Sequence, residues 1–282
     1  MKLVRYGNPG AERPGMVDAS GAIRDLGAHV TDISGPELTP AVLAGLSALD
    51  PEALPKVEGT PRLGPCVAGV GKFICIGLNY SDHAAEAGLE VPAEPIVFMK
   101  ATSAITGPTD GIEIPRGSKR TDWEVELGVV IGRRAKYVPE TEALDHVLGY
   151  CTVNDVSERD FQMNRGGQWV KGKSHDSFGP IGPWLVTADE VADPQSLALW
   201  CEVNGKRYQD GSTSRMVFGV AKLISHLSEF MTLEPGDIIA TGTPPGVGMG
   251  VKPEPVYLRP GDRVRLGVEG LGEQDHLCRA AE

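Results

Sequence analysis

Ten consecutive residues, Asp122-Trp-Glu-Val-Glu-Leu-Gly-Val-Val-Ile131, combine a strand-forming pattern with an electrostatic conflict. The run is β-branched and apolar, and strand side chains alternate between faces. Trp123, Val125, Leu127, Val129 and Ile131 then form a core stripe. Asp122, Glu124 and Glu126 share the other face, with successive Cα atoms about 7 Å apart. Like charges side by side repel, and burying them unpaired is costly. A bound cation resolves the conflict, and an all-oxygen site suits a hard ion such as Mg²⁺, Mn²⁺ or Ca²⁺. A solvated sheet face would accommodate the same Glu-x-Glu pattern. Asp155, at the end of the apolar strand that begins at Gly149, and Gly128 beside the pair weigh toward the metal. Glu124, Glu126 and Asp155 would leave coordination positions for water or substrate.

The totals exclude several classes. A formal charge of −11 without a basic stripe argues against nucleic-acid or anionic-membrane partners. No apolar run reaches membrane-spanning length, and the start Met-Lys-Leu-Val-Arg-Tyr-Gly lacks a signal-peptide core. Five scattered cysteines read as buried thiols in a reducing compartment, so the expected location is cytoplasmic.

The pattern along the chain is mixed α+β and rich in strands. Lys2 to Tyr6, Met16 to Ala19 and Ala22 to Leu26 form a small meander, and Thr39-Pro40 opens a short helix. The proline-rich stretch from Pro51 to Pro65 closes a small N-terminal domain, residues 1–65, ahead of a larger unit, 66–282. Strands are expected at Phe73–Ile76 and Ile96–Met99, with a brief helix over 79–88 between them. Asn204-Gly205 marks a hairpin, and Leu223, Ile224, Leu227 and Phe230 place one face of a helix over Val220–Phe230.

Two glycine motifs mislead. Gly167 to Ser174 satisfies the P-loop pattern, but polar residues precede it and Gly179, Pro180, Gly182 and Pro183 forbid the helix it needs. Gly246-Val-Gly248-Met-Gly250 is followed by Lys252-Pro253-Glu254-Pro255, which stops any dinucleotide-binding helix. It reads better as a pocket-lining loop.

His83 and Glu86 lie one helical turn apart, a spacing at which a carboxylate orients a general base; a surface pair fits the spacing equally. Lys173 could bind a carboxylate, stabilise an oxyanion or form a Schiff base, and as an isolated residue could equally be an exposed loop lysine. Arg159 and Gln162, just beyond Asp155, could hold an anionic substrate or serve as an ion-pair partner and a surface amide. His175 and His226 read as structural.

Taken together, the segments Gly77 to Glu86, Phe98 to Lys100, Asp122 to Gly128, Asn154 to Gln162, Gly172 to Pro180 and Thr241 to Gly248 resemble the fumarylacetoacetate hydrolase family, in family order. The resemblance runs from about residue 70 to the C-terminus. It implies a mixed β-roll with a small N-terminal domain, assembled as a homodimer, with Mg²⁺ or Mn²⁺ on Glu124, Glu126 and Asp155. It also implies His83 with Glu86 as the base dyad, and Lys173, Arg159, Gln162 and Thr243 at the substrate. The activity implied is metal-dependent hydrolysis of a C–C bond in a 2,4-dioxo acid (an acylpyruvate). The branch suggested takes 2,4-dioxo-3-deoxy sugar acids such as the deoxyrhamnonate or deoxyfuconate forms, releasing pyruvate and a second carboxylic acid. Oxaloacetate decarboxylation or 2-oxo acid isomerisation on the same metal is the alternative within the family. A Schiff-base lyase using Lys173 and a non-enzymatic, metal-stabilised binding protein are the alternatives outside it. His175 stands where many relatives carry an aromatic residue, which suggests a more hydrophilic substrate.

Overall fold

The computed structural model describes residues 1–82, 86, 88 and 90–282. β1 (Lys2–Tyr6), β2 (Arg13–Val17) and β3 (Ile23–Asp25) form the expected meander with shifted ends. α1 (Pro40–Ser47) begins where Thr39 caps it, the hydroxyl accepting from Val42 N at 3.3 Å. β4 (Phe73–Gly77) and β5 (Ile96–Lys100) pair antiparallel. The helix expected between them lies mostly outside the described residues.

Three short strands follow, β6 (Ile105–Thr106), β7 (Ile112–Ile114) and β8 (Thr121–Asp122). β9 (Val125–Ile131) and β10 (Val147–Asn154) then form an extended antiparallel pair. β11 (Ser157–Glu158) leads into two short helices, α2 (Arg159–Met163) and α3 (Val170–Lys173). After β12 (Gly179–Pro180) and β13 (Leu185–Thr187) comes the hairpin of β14 (Ala198–Val203) and β15 (Lys206–Ser212). Its Asn204-Gly205 turn has both φ angles positive, at 52° and 78°, as that dipeptide favours. α4 (Val220–Phe230), β16 (Ile238–Ala240), β17 (Arg263–Val268) and β18 (Gly272–Ala280) complete the order.

A nine-stranded sheet runs β3-β2-β1-β13-β10-β9-β16-β4-β5, and a five-stranded sheet runs β15-β14-β17-β18-β7. β16 is parallel to β4 and antiparallel to β9, so the large sheet is mixed. This is the expected mixed α+β, strand-rich fold. β9 sits inside it with every residue buried. Val125, Leu127, Val129 and Ile131 join Leu199, Cys201 and Leu266 of the second sheet in one core cluster. Val130, on the opposite face, packs with Leu3, Phe73 and Ile238 in another. A strand covered on both faces needs apolar residues on both, which explains why this run is nearly continuous in Val and Ile. The carboxylates break that continuity at one end only.

The second sheet also reaches the site directly. Gln209, fully buried on β15, accepts from Val125 N at 3.0 Å and donates to Thr243 Oγ1 at 2.8 Å and Pro244 O at 2.9 Å. Among the described residues no helix is long and apolar enough to cross a membrane. All five cysteines are buried free thiols. Replacing Gln209 with Leu strands one buried amide N–H and two acceptors, so urea unfolding should show a loss of about 1–3 kcal/mol; unchanged stability would remove this link.

Candidate metal and substrate site

Two chain crossings place the carboxylates. Glu124 immediately precedes β9, Glu126 lies within it, and Asp155 follows β10. Asp155 N donates to Glu124 O at 2.9 Å, and Asn154 Oδ1 accepts from Glu124 N at 3.2 Å, locking the two strand ends together. One oxygen from each of Glu124, Glu126 and Asp155 falls within 4.8 Å of the others, and all three residues are buried.

A chain of alternating charges surrounds them. Asp122 Oδ2 accepts from Arg159 Nε at 2.8 Å, and Arg159 Nη1 reaches Glu124 Oε1 at 2.6 Å. Lys173 Nζ bridges Glu124 Oε2 and Asp155 Oδ2, both at 2.7 Å, and Lys100 Nζ closes the chain on Asp155 Oδ1 and Val156 O. Burial favours the neutral form of Glu124, but Lys173 and Arg159 more than offset it and hold its carboxyl well below the usual range. Burial likewise opposes charge on Lys173, yet Asp155 and Glu124 hold its ammonium above the ordinary lysine value.

Glu126 is the exception. Its Oε2 accepts from Gly242 N at 2.9 Å, and among the described residues no cation pairs with it. Burial, followed by repulsion from Asp155 and Glu124, pushes its carboxyl well above the usual range. The buried cluster thus holds four carboxylates, of Asp122, Glu124, Glu126 and Asp155, against three cations, Lys100, Arg159 and Lys173. A divalent cation fits this surplus, and three carboxylates are the donor set a hard ion takes.

Asp122 departs from the expectation that it shares a strand face with the two glutamates. The strand is interrupted after Asp122 and resumes at Val125, so the alternation does not run through it. Its carboxylate instead accepts from Gly248 N at 2.6 Å and Met249 N at 3.0 Å as well as from Arg159. The glycine loop therefore binds a carboxylate of its own chain. A Cβ at Gly248 would stand 2.0 Å from Val256 O, so only glycine lets the loop approach that closely. The false P-loop has an equally local reason: a Cβ at Gly172 would meet Glu158 O and Gln162 N at 2.5 Å. Gly172 lets α3 press on α2, which aims Lys173 at the carboxylates.

Above the cluster opens a cavity of about 320 Å³ whose lining includes Glu124, Glu126, Arg159, Gln162, Lys173 and Thr243. Arg159 Nη2 is buried and, among the described residues, has no partner, which leaves it a donor able to receive an anion. Gln162 Oε1 accepts from Arg159 Nη1 at 3.1 Å. The Thr243 hydroxyl is already engaged, donating to Val125 O at 2.8 Å and accepting from Gln209. Glu86 lines the mouth and accepts from Gly246 N at 3.2 Å. His83 lies outside the described residues. His175 does not line the cavity: its Nε2 contacts Glu113 Oε1 at 3.0 Å and its ring meets the edge of Phe178. Its polarity therefore says nothing about the substrate, contrary to the sequence expectation. Lys100 had no role assigned from sequence. A strand lysine in Phe98-Met-Lys100 looks like surface, and only the sheet order, with two strands between β5 and β9, turns it inward.

The chain is similar to known proteins along its whole length. Residues 72–277 match the family described as Fumarylacetoacetate (FAA) hydrolase C-terminal. A Burkholderia multivorans protein with only a provisional hydrolase name is 68% identical over 281 residues, covering 100% of both chains. A fumarylacetoacetate hydrolase from Exiguobacterium antarcticum superposes with a TM-score of 0.86 at 36% identity, again over 100% of both chains. Maleylpyruvate hydrolase from Sphingobium sp. SYK-6, solved with manganese(II) and pyruvate, gives 0.79 at 30% identity over 100% of both chains. The chain belongs to the fumarylacetoacetate hydrolase family.

The charge count makes a two-sided prediction. Glu126→Gln should raise the melting temperature of the metal-free protein by removing the surplus buried charge. It should also abolish the stabilisation by Mn²⁺, about 2.7 kcal/mol at a hundredfold excess over Kd in the wild type. Lys173→Met, which takes one of its two cations from each of Glu124 and Asp155 and leaves a further buried negative charge uncompensated, should cost about 3–5 kcal/mol. Calorimetry of the metal-free and Mn²⁺-loaded proteins checks both, and a metal-free Glu126→Gln protein less stable than wild type would contradict the count.

Proposed function

We propose that this chain is a metal-dependent hydrolase that cleaves a C–C bond of a 2,4-dioxo acid. The observation that carries this reading is the cluster of three buried carboxylates, two of which, Glu124 and Glu126, line one cavity together with Arg159, whose Nη2 has no partner among the described residues. Mg²⁺ or Mn²⁺ held by Glu124, Glu126 and Asp155 would supply Lewis-acid polarisation of the substrate's carboxylate and 2-oxo oxygen. Arg159 Nη2 receives the carboxylate, and Gln162 fixes the guanidinium by accepting from Nη1. Lys173 Nζ has two donors committed to Glu124 and Asp155, which leaves its third for the oxyanion that develops at C4. Thr243 lines the same floor; with its hydroxyl proton on Val125 O, it offers substrate an acceptor.

His83, oriented by Glu86, takes a proton from the water that attacks C4. The C3–C4 bond then breaks, its electron pair passing to C3, and protonation there yields pyruvate beside a second carboxylic acid. The overall balance is R–CO–CH₂–CO–COO⁻ plus water giving R–COOH plus pyruvate. Within this class we favour a 2,4-dioxo-3-deoxy sugar acid, such as the deoxyrhamnonate or deoxyfuconate form. The manganese and pyruvate held by the Sphingobium relative support the same reading of metal and product here.

A Schiff-base lyase is disfavoured because it needs a neutral amine, and Lys173 is held protonated by two carboxylates. Decarboxylation and isomerisation would use the same metal floor without the attacking water. A non-enzymatic binding protein would lose stability on chelation with no turnover to lose. We read the reaction as cytoplasmic, in keeping with the free cysteines, and the enzyme as a homodimer with no nucleic-acid or membrane partner. Residues 1–65 are read as a small domain that completes the large sheet through β1 and β13.

A pyruvate-release assay on 2,4-dioxo acids with Mg²⁺, Mn²⁺ or EDTA tests the reaction. The expected result is metal-dependent pyruvate plus a second acid; CO₂ from oxaloacetate alone, or an isomer of unchanged mass, would refute hydrolysis. His83→Ala should lower kcat by about 10²–10⁴ with Mn²⁺ affinity unchanged. A loss of Mn²⁺ binding in that variant would assign His83 to the metal instead.

A further inference from the structure

The cavity has two chemically distinct halves. Its floor is charged, but its upper wall is Ile76, Leu78, Phe98, Trp169, Val247 and Met249. The Phe98 ring lies 5.0 Å from Lys173 Nζ and meets the Trp169 ring edge-on at 5.2 Å. The aromatic pair therefore runs continuously from the charged floor up the wall. Gly77 admits Trp169 to this position, since a Cβ there would stand 2.7 Å from the indole. At the mouth the charged lining residues among those described are Glu86 and Lys252, of opposite sign, so these two supply no net positive charge for a second anion.

We propose that Phe98, Trp169 and Met249 select the far end of the substrate and require it to end in carbon, as a methyl or a larger hydrocarbon group. The inference rests on the reading above, which seats the carboxylate and 2-oxo group on the floor and so sends the remainder of the molecule along this wall. Each methylene buried there strengthens binding by about fourfold. A terminal carboxylate or hydroxyl would give up its hydration against carbon and sulfur. Among dioxo sugar acids this favours chains whose last carbon is CH₃ over those ending in CH₂OH. It disfavours acids with a second carboxylate at the far end.

The test separates the tail from the reaction by using 2-oxo acids that cannot be hydrolysed. Calorimetric titration of the Mn²⁺-loaded protein compares 2-oxohexanoate, 6-hydroxy-2-oxohexanoate and 2-oxohexanedioate, which share a head and chain length. The methyl-ended acid should bind at least about tenfold tighter than either of the others, within the range a hydrophobic pocket can discriminate. Trp169→Ala should compress that ratio to below about threefold, whereas a general folding defect would weaken all three acids alike and leave the ratio intact. Met249→Lys should turn the preference toward the dicarboxylate. Tighter or equal binding of the hydroxyl- or carboxylate-ended acid, no binding by any of them, or a ratio unchanged in Trp169→Ala would each overturn the proposal. If no dioxo acid is cleaved while the methyl-ended acid is still preferred, the hydrolase reading falls and the tail selection stands.

Discussion

The structure depends on a row of buried charges that alternate in sign: Asp122, Arg159, Glu124, Lys173, Asp155 and Lys100. They come from β8, α2, the approach to β9, α3, the end of β10 and β5, so neutralising one another means assembling most of the large sheet. Removing any one member leaves the buried row with an uncompensated charge, which costs several kcal/mol. A row of three anions and three cations could close on itself. Glu126, packed against it with no cation partner among the described residues, gives the site an unmet demand for a cation.

The same row organises what lies above it. Asp122 spends its remaining capacity on Gly248 and Met249, so the loop that carries the upper wall is tied to the guanidinium at the floor. Glu86 accepts from Gly246 on the far side of that loop. Gln209 reaches across from the second sheet and holds both Val125 and Thr243. Floor, wall and mouth are thus set by polar contacts, buried at the floor and exposed at the mouth. This is the arrangement a site needs if its groups must meet a substrate without reorganising.

The placement of the charged floor beneath a carbon wall separates two tasks along one cavity. On the proposed reading, recognition of a 2-oxo acid head is electrostatic and leaves little room for variation, because each floor group is already committed to a neighbour. Discrimination among tails falls to side chains with few hydrogen-bonding commitments, which can be exchanged without disturbing the charge row. A family acting on differing acids can vary the wall and keep the floor.

Much of this was legible in the chain. Alternation placed the core stripe of β9, Thr39-Pro40 marked the start of α1, Asn204-Gly205 marked the hairpin, and Glu124, Glu126 and Asp155 stood out as carboxylates that folding alone would not bury. These are local signals, governed by strand period, cap chemistry and turn dihedrals, and they survive any tertiary arrangement. Lys100 was not legible, nor was the turn of Asp122 away from the glutamates or of His175 away from the cavity. Those depend on which strands become neighbours and on where β8 breaks from β9, facts that no window of sequence contains. The residue types therefore announced a carboxylate cluster able to hold a hard cation before any fold was known. Only the packing of two sheets decided which cations balance it, which carboxylate stays unbalanced and which apolar side chains line the cavity with it, because burial and neutralisation are settled between distant segments.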